Sequence, residues 1–338
     1  MIPEYVIAQI LSKDIVSIIG GEGVSLKRAG VNYECCCPFH KEKTPSFKVS
    51  PVKGIFTCFG CSAKGNAISF VMMLYNMTFP EAVEYLAKKL NIEYKAEELT
   101  PEQKEARFRR SRIFEINQVA LEYFRESYKQ SLPAQKYATK ERGFKEETID
   151  NMLIGFAPYK GGFREYATQK GYKDQLLLDA DLVRRSERDG SLYDTFRGRL
   201  MFTIRDRTGN IVGFSGRLMD KENPKKLPKY INTGDTAVYK KGEHLFAYFE
   251  SARQAAAVRT MNLVEGNPDA IRMHQIGVDN TVAPLGTALT PKQIELIKKV
   301  ADTVIIIGDM DDAGQKAVVK NAETMLREGL AVRVMEIK

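Results

Sequence analysis

No stretch of this sequence stays apolar for the roughly 20 residues that a membrane-spanning helix needs. The amino terminus, interrupted by Glu4, Lys13 and Asp14, shows no secretory-signal pattern. Both absences lead to the expectation of a cytoplasmic protein with no membrane partner. Cysteine is missing everywhere except positions 35–61, which hold all five. In a cytosolic chain that clustering points to a metal rather than to disulfides. Internal repeats and low-complexity segments are also lacking. Acidic residues are the minority charge, 43 against 51 Lys and Arg, leaving a net charge of +8. That imbalance favours an anionic partner and says nothing about fold. The 338 residues suffice for two or three domains.

Cys37 and His40 form a pair with two intervening residues, as do Cys58 and Cys61. Four soft or borderline ligands in two tight pairs suit tetrahedral Zn²⁺. With every position filled by protein, the ion is structural, one per chain. Cys35 and Cys36 lack the two-residue spacing to His40 and are expected outside the set. Short strands are expected at 24–27, 32–34, 46–49 and 54–57. Lys41, Lys43 and Lys48 interleave with Phe47 and Phe56. A basic, aromatic-bearing β surface would bind single-stranded nucleic acid by attraction and stacking. A solvated face over core aromatics reads the same residues equally well. Two helices, the second opened by a Thr78…Glu81 capping box, close this module. The expected division is a zinc-binding domain over 1–95 and a charged, partly helical linker over 96–110.

A helix pattern resumes at 111–130, followed by a mixed α+β region. Basic residues crowd 196–241, among them Arg199, Arg217, Lys229 and Lys241, a density that suits a polyanion groove. From about 258 strands alternate with helices, which implies a parallel sheet. Strands are expected at 260–264, 281–283, 303–307 and 331–337. Glu265 follows the first of these, and Asp309-Met310-Asp311 follows the third. Carboxylates beyond the carboxyl ends of buried strands repel unless a cation lies between them, and hard oxygen ligands there suit Mg²⁺. Asp312 reads better as the cap of the next helix.

These residues resemble the bacterial replicative primase family (DnaG-type) along essentially the whole chain. The amino-terminal part does so through CPFHKEKTPSFKVSPVKGIFTCFGC, the middle through FRGRLMFTIRD, GFSGR and PKYINTGDTAVYKKGEHLF, and the last part through VEG, APLGTALT and GDMDDAG. The fold implied is multidomain, α+β and α/β. A zinc-ribbon domain is followed by a primase catalytic core whose amino-terminal part spans 111–257 and whose Toprim parallel-sheet subdomain spans 258–338. The activity implied is template-directed synthesis of short RNA primers on single-stranded DNA from ribonucleoside triphosphates. By motif match Glu265, Asp309 and Asp311 hold catalytic Mg²⁺ or Mn²⁺, and Arg142, Arg217, Lys229 and Lys241 meet nucleotides and nucleic acid. Met310 stands where the family usually has glycine. The chain stops at Lys338, ahead of a third acidic motif and of the helicase-binding domain expected of full-length relatives. A non-catalytic, zinc-ribbon single-stranded-DNA-binding protein with a degenerate Toprim site therefore stays open beside the primase.

Overall fold

The computed structural model describes residues 2–75, 77–93, 100–220, 226–286, 289–308 and 312–336; the side chains of 312–314, 316, 317 and 336 are not among them. The chain divides into two compact units, Met1–Lys104 and Glu105–Lys338.

In the first unit five strands form one antiparallel sheet in sequence order. They are β1 (Lys27–Ala29), β2 (Asn32–Cys35), β3 (Phe47–Ser50), β4 (Ile55–Cys58) and β5 (Lys64–Gly65). The first strand lies later than the apolar run at 24–27 suggests, because a tight turn through Gly30 pairs Ala29 with Asn32. Val24 and Leu26 instead pack on the core from irregular chain. Helices Ala67–Tyr75 and Phe79–Lys89 cover the sheet, the second opened by the expected Thr78–Glu81 capping box. Phe47 and Phe56 are completely buried, with ring centroids 5.1 Å apart, and Phe39 and Phe70 pack around them. They are core rings and not a stacking surface. Mutual burial of four aromatics outweighs anything these two could gain in solvent.

The charged stretch at 96–110 is helical from Pro101, and the same helix runs to Gln130. Glu, Lys, Gln and Arg are strong helix formers, so the charge density there is compatible with a helix. Its buried stripe begins at Ile113 and includes Ile116, Ala120 and Phe124.

Two four-stranded sheets organise the second unit. Strands β6 (Gly155–Ala157), β9 (Arg199–Arg205), β10 (Ile211–Leu218) and β11 (Tyr230–Asn232) make an antiparallel sheet ordered β11-β10-β9-β6. A hairpin of β7 (Val183–Arg185) and β8 (Leu192–Asp194) stands apart from it. Strands β12 (Thr260–Val264), β13 (Thr281–Val282), β14 (Thr303–Gly308) and β15 (Ala331–Glu336) form a wholly parallel sheet ordered β13-β12-β14-β15. Its two faces feed separate cores. Met261, Leu263, Val304 and Ile306 point into one, while Val264 and Ile307 join a core shared with Phe156, Phe202, Phe214 and Phe246. That shared core crosses the 257/258 boundary, so the two parts of the expected catalytic core fold as one unit. Burial on both faces is the reason β12 and β14 read as near-continuous apolar runs.

Candidate functional site

The four expected zinc ligands come together at one end of the first unit's sheet. Cys58 ends β4, Cys61 lies in the turn after it, and Cys37 and His40 lie in the connection between β2 and β3. Their ligand atoms all lie within 4.8 Å of one another. Cys37 Sγ stands 3.8 Å from Cys61 Sγ, and Cys58 Sγ stands 3.9 Å from His40 Nδ1. A tetrahedron with Zn–S arms of about 2.3 Å has edges of about 3.8 Å. Backbone N–H groups of Gly60 and Cys61 donate to Cys58 Sγ, and that of Phe39 donates to Cys37 Sγ. Burial pushes the Cys58 thiol up, but the Ser46 hydroxyl and the two N–H groups outweigh it and bring it down to about 6. At Cys37 burial prevails and pushes the thiol up to about 12. Gly60 permits the close approach, since a Cβ there would lie 2.6 Å from His40 Nε2. This donor set fits a zinc ion. Cys35 and the exposed Cys36 are not part of the cluster.

Sequence reading missed Glu42. Its carboxylate accepts from the backbone N–H of Cys37 at 2.6 Å and from the Ser46 hydroxyl at 2.6 Å, and lies 3.1 Å from His40 Nε2. A carboxylate on the ring nitrogen opposite the ligating one fixes the tautomer and orientation of a metal-bound histidine. The only signal in the sequence was an acid two residues after that histidine. Glu42→Gln should weaken zinc affinity by about 10- to 100-fold in a competition titration with a chromophoric chelator. Cobalt substitution should give a tetrahedral spectrum of three sulfurs and one nitrogen that Cys37→Ser destroys and Cys36→Ser leaves intact.

In the second unit, Glu265 is exposed directly after β12. It lines a cleft of about 350 Å³ with Val264, Pro284, Gly286, Ile307 and Val318, at the carboxyl ends of the parallel strands. Val264 pairs with Ile307, and a Cβ on Gly308 would lie 3.4 Å from Glu265 Oε1. The same Cβ would strike Val318 at 2.3 Å, so glycine is what lets the helix Asp312–Arg327 close over the strand end. Asp309 and Asp311, with Met310 between them, lie outside the described residues, as does the side chain of Asp312.

The basic residues do not share one environment. Lys241 Nζ lies beside Gly286, at 3.8 Å from where its Cβ would be, and Gly286 is one of the residues that line the cleft. Asn232 ties β11 to the same loop by donating to the Leu285 carbonyl at 2.9 Å. Arg217 on β10 donates through Nε to the Tyr137 hydroxyl at 2.8 Å and through Nη1 to that of Tyr230 at 2.6 Å. Burial works against its charge, yet the two phenol oxygens outweigh it and raise its pKa. Arg142 also donates to the Tyr137 hydroxyl, at 2.8 Å through Nη2. Helix Asn267–Gln275, which follows Glu265, holds that segment: Arg272 donates to the Arg142 carbonyl and Gln275 to that of Gly143. Lys229 is exposed just before β11. Arg199 is different. It is 3% exposed and donates to the carbonyls of Gly216 and Pro228 at 3.0 and 2.9 Å. Burial lowers its pKa to about 10. The structure makes it an internal brace between β9, β10 and the approach to β11, rather than a surface cation.

With this geometry in hand, comparison with known proteins is specific. Residues 2–102 match a CHC2 zinc finger, 123–252 the amino-terminal domain of the DNA primase catalytic core, and 262–338 a Toprim-like domain. The crystal structure of the Aquifex aeolicus primase zinc-binding and RNA polymerase domains aligns with 98% of this chain and 79% of its own, at 33% identity and a TM-score of 0.63. The chain belongs to the DnaG-type DNA primase family. A Clostridium acetobutylicum DNA primase is 37% identical over 329 residues, 96% of this chain and 53% of its own length. The chain thus spans about half the length of the curated primases it matches. A DnaG primase catalytic domain solved with bound single-stranded DNA aligns with 68% of this chain and 74% of its own, at 30% identity and a TM-score of 0.59. No helix among the described residues of this primase-family chain is long and apolar enough to cross a membrane.

Proposed function

We propose that the chain carries out primer synthesis, the template-directed joining of ribonucleotides on single-stranded DNA without a pre-existing 3′ end. The observation that supports it most is the place of Glu265 in a cleft at the carboxyl ends of the parallel strands, with the Lys241 ammonium beside Gly286, which lines the same cleft. An acid for a divalent ion and a cation for phosphate are the two requirements of nucleotidyl transfer. Glu265, with Asp309 and Asp311, would hold Mg²⁺ or Mn²⁺, both of which take carboxylate oxygens. Such ions, when bound, activate the attacking 3′-hydroxyl and steady the leaving pyrophosphate. Lys241 and Lys229 neutralise phosphate charge, as do the paired guanidiniums of Arg142 and Arg217. Arg199 keeps the strands that present Arg217 and Lys229 in register.

In the first unit one structural zinc ion would hold Cys37, His40, Cys58 and Cys61 together. An exposed aromatic that could stack there is Phe59, with the Lys48 ammonium 5.8 Å from its ring centroid. Single-stranded DNA, the RNA primer and ribonucleoside triphosphates are the proposed partners. A replicative helicase is the further partner proposed for full-length members of the family, which work in the bacterial cytoplasm.

Binding to single-stranded DNA should weaken steeply with salt. Arg217→Ala or Lys229→Ala should each lower the slope of log affinity against log salt by about 0.7 for every phosphate no longer neutralised. Unchanged slope and affinity in both variants would assign the basic run to solubility alone.

A further inference from the structure

Arg142 and Arg217 belong to different elements, yet their guanidiniums meet at one atom. The Tyr137 phenol oxygen accepts from Arg217 Nε at 2.8 Å and from Arg142 Nη2 and Nε at 2.8 and 3.2 Å. Its ring is 6% exposed and belongs to the unit's main core, so the oxygen is held in place from below. A phenol oxygen has two acceptor lone pairs, and two arginines occupy them here. Tyr230, the direct cross-strand neighbour of Arg217, takes its Nη1.

The backbone at Tyr137 is also unusual. Residues Tyr137–Glu141 form a π-helical turn, closed by the Arg142 N–H donating to the Tyr137 carbonyl at 3.0 Å. In an ordinary α-helix residues five apart point about 140° away from each other. The wider turn brings Arg142 over the Tyr137 ring instead, 5.1 Å from its centroid. Such turns are rare and are frequent at functional sites. Two like charges drawn to one neutral oxygen repel each other. Among the described residues their partners are tyrosine oxygens and rings, not carboxylates. An oxyanion shared by both guanidiniums relieves that repulsion.

We infer that Tyr137 is a positioning residue whose hydroxyl locks Arg142 and Arg217 into one paired site for a phosphate group. The inference rests on the nucleic-acid role proposed above for the two arginines. The phosphate belongs to single-stranded nucleic acid or to a nucleoside triphosphate, and the test separates them. Tyr137→Phe keeps the ring, its burial and the stacking of Arg142, and removes only the hydroxyl.

Affinities of Tyr137→Phe, Arg217→Ala, Arg142→Ala and their combinations would be measured for a single-stranded oligonucleotide over a salt series, and for a ribonucleoside triphosphate with Mg²⁺. Tyr137→Phe is expected to weaken one ligand by about 10-fold. Its salt slope should match wild type, because both cations remain, whereas Arg217→Ala lowers the slope. In the Arg142→Ala, Arg217→Ala background Tyr137→Phe should add nothing. Weakening confined to the oligonucleotide identifies a template or primer phosphate; weakening confined to the triphosphate identifies the nucleotide. Wild-type affinity of Tyr137→Phe for both ligands, alongside weakened arginine variants, overturns the inference and leaves the arginine reading standing. An equal effect with and without the arginines reduces Tyr137 to a structural part and likewise overturns it. Wild-type binding by both arginine variants removes the phosphate site itself.

Discussion

Glu265→Gln should lower primer synthesis by roughly 10³-fold while leaving zinc content and fold unchanged. Glutamine has nearly the same size, so the packing of residue 265 along the cleft and beside Gly308 is kept. What disappears is one negative charge at the carboxyl end of β12. A divalent ion supplies several kcal/mol of transition-state charge stabilisation in phosphoryl chemistry. Losing about 4 kcal/mol of it corresponds to about a thousandfold in rate. Single-stranded DNA affinity should change little, because the cations proposed to meet phosphate are untouched. The check is single-turnover incorporation of a labelled ribonucleotide with Mg²⁺ and with Mn²⁺, beside an oligonucleotide-binding titration. A wild-type rate in this variant would show that Glu265 holds no catalytic ion.

Zinc removal should unfold the Met1–Lys104 unit and leave Glu105–Lys338 folded. The ligands are part of the hydrophobic core there: Cys37 and Cys58 are buried with Phe47, Phe56 and Phe70. Apparent binding energies of structural zinc are about 10–16 kcal/mol, as large as the roughly 5–15 kcal/mol stability of a whole domain. Chelation, or Cys58→Ser, should therefore abolish hydrogen-exchange protection across helices Ala67–Tyr75 and Phe79–Lys89. Protection of β9, β10, β12 and β14 should persist, because their cores contain no residue of the first unit. Retained protection in the first unit after complete zinc loss would mean that its apolar core suffices alone.

Where burial follows a simple period, sequence reading located the elements closely. The runs expected at 260–264 and 303–307 are strands Thr260–Val264 and Thr303–Gly308. Two-faced burial leaves a continuous β-branched run at 303–307 and a mostly apolar one at 260–264, after which Glu265 could be placed at a strand end. The zinc set was legible because ligand spacing is a local property. The aromatic surface was not. Alternation puts Phe47 and Phe56 on one side of their strands, but nothing local says which side faces Phe39 and Phe70. Long-range hydrogen bonding was equally hidden. Arg199 looked like its basic neighbours, and only the folded strands reveal the carbonyls it braces. The role of Glu42 arises from the way an irregular connection folds back on itself, and that of Tyr137 from a contact with β10 and a π turn that carries no compositional mark.

One measurement bears most directly on the proposed activity. The protein carrying this chain would be given a single-stranded DNA template of known sequence, four ribonucleotides and a divalent ion, with no primer, and the products sequenced. Short RNAs complementary to the template, absent when the ion is chelated, are the predicted result. Salt-sensitive DNA binding with no ribonucleotide incorporated in Mg²⁺ or Mn²⁺ would contradict it and identify a non-catalytic single-stranded-DNA-binding protein instead.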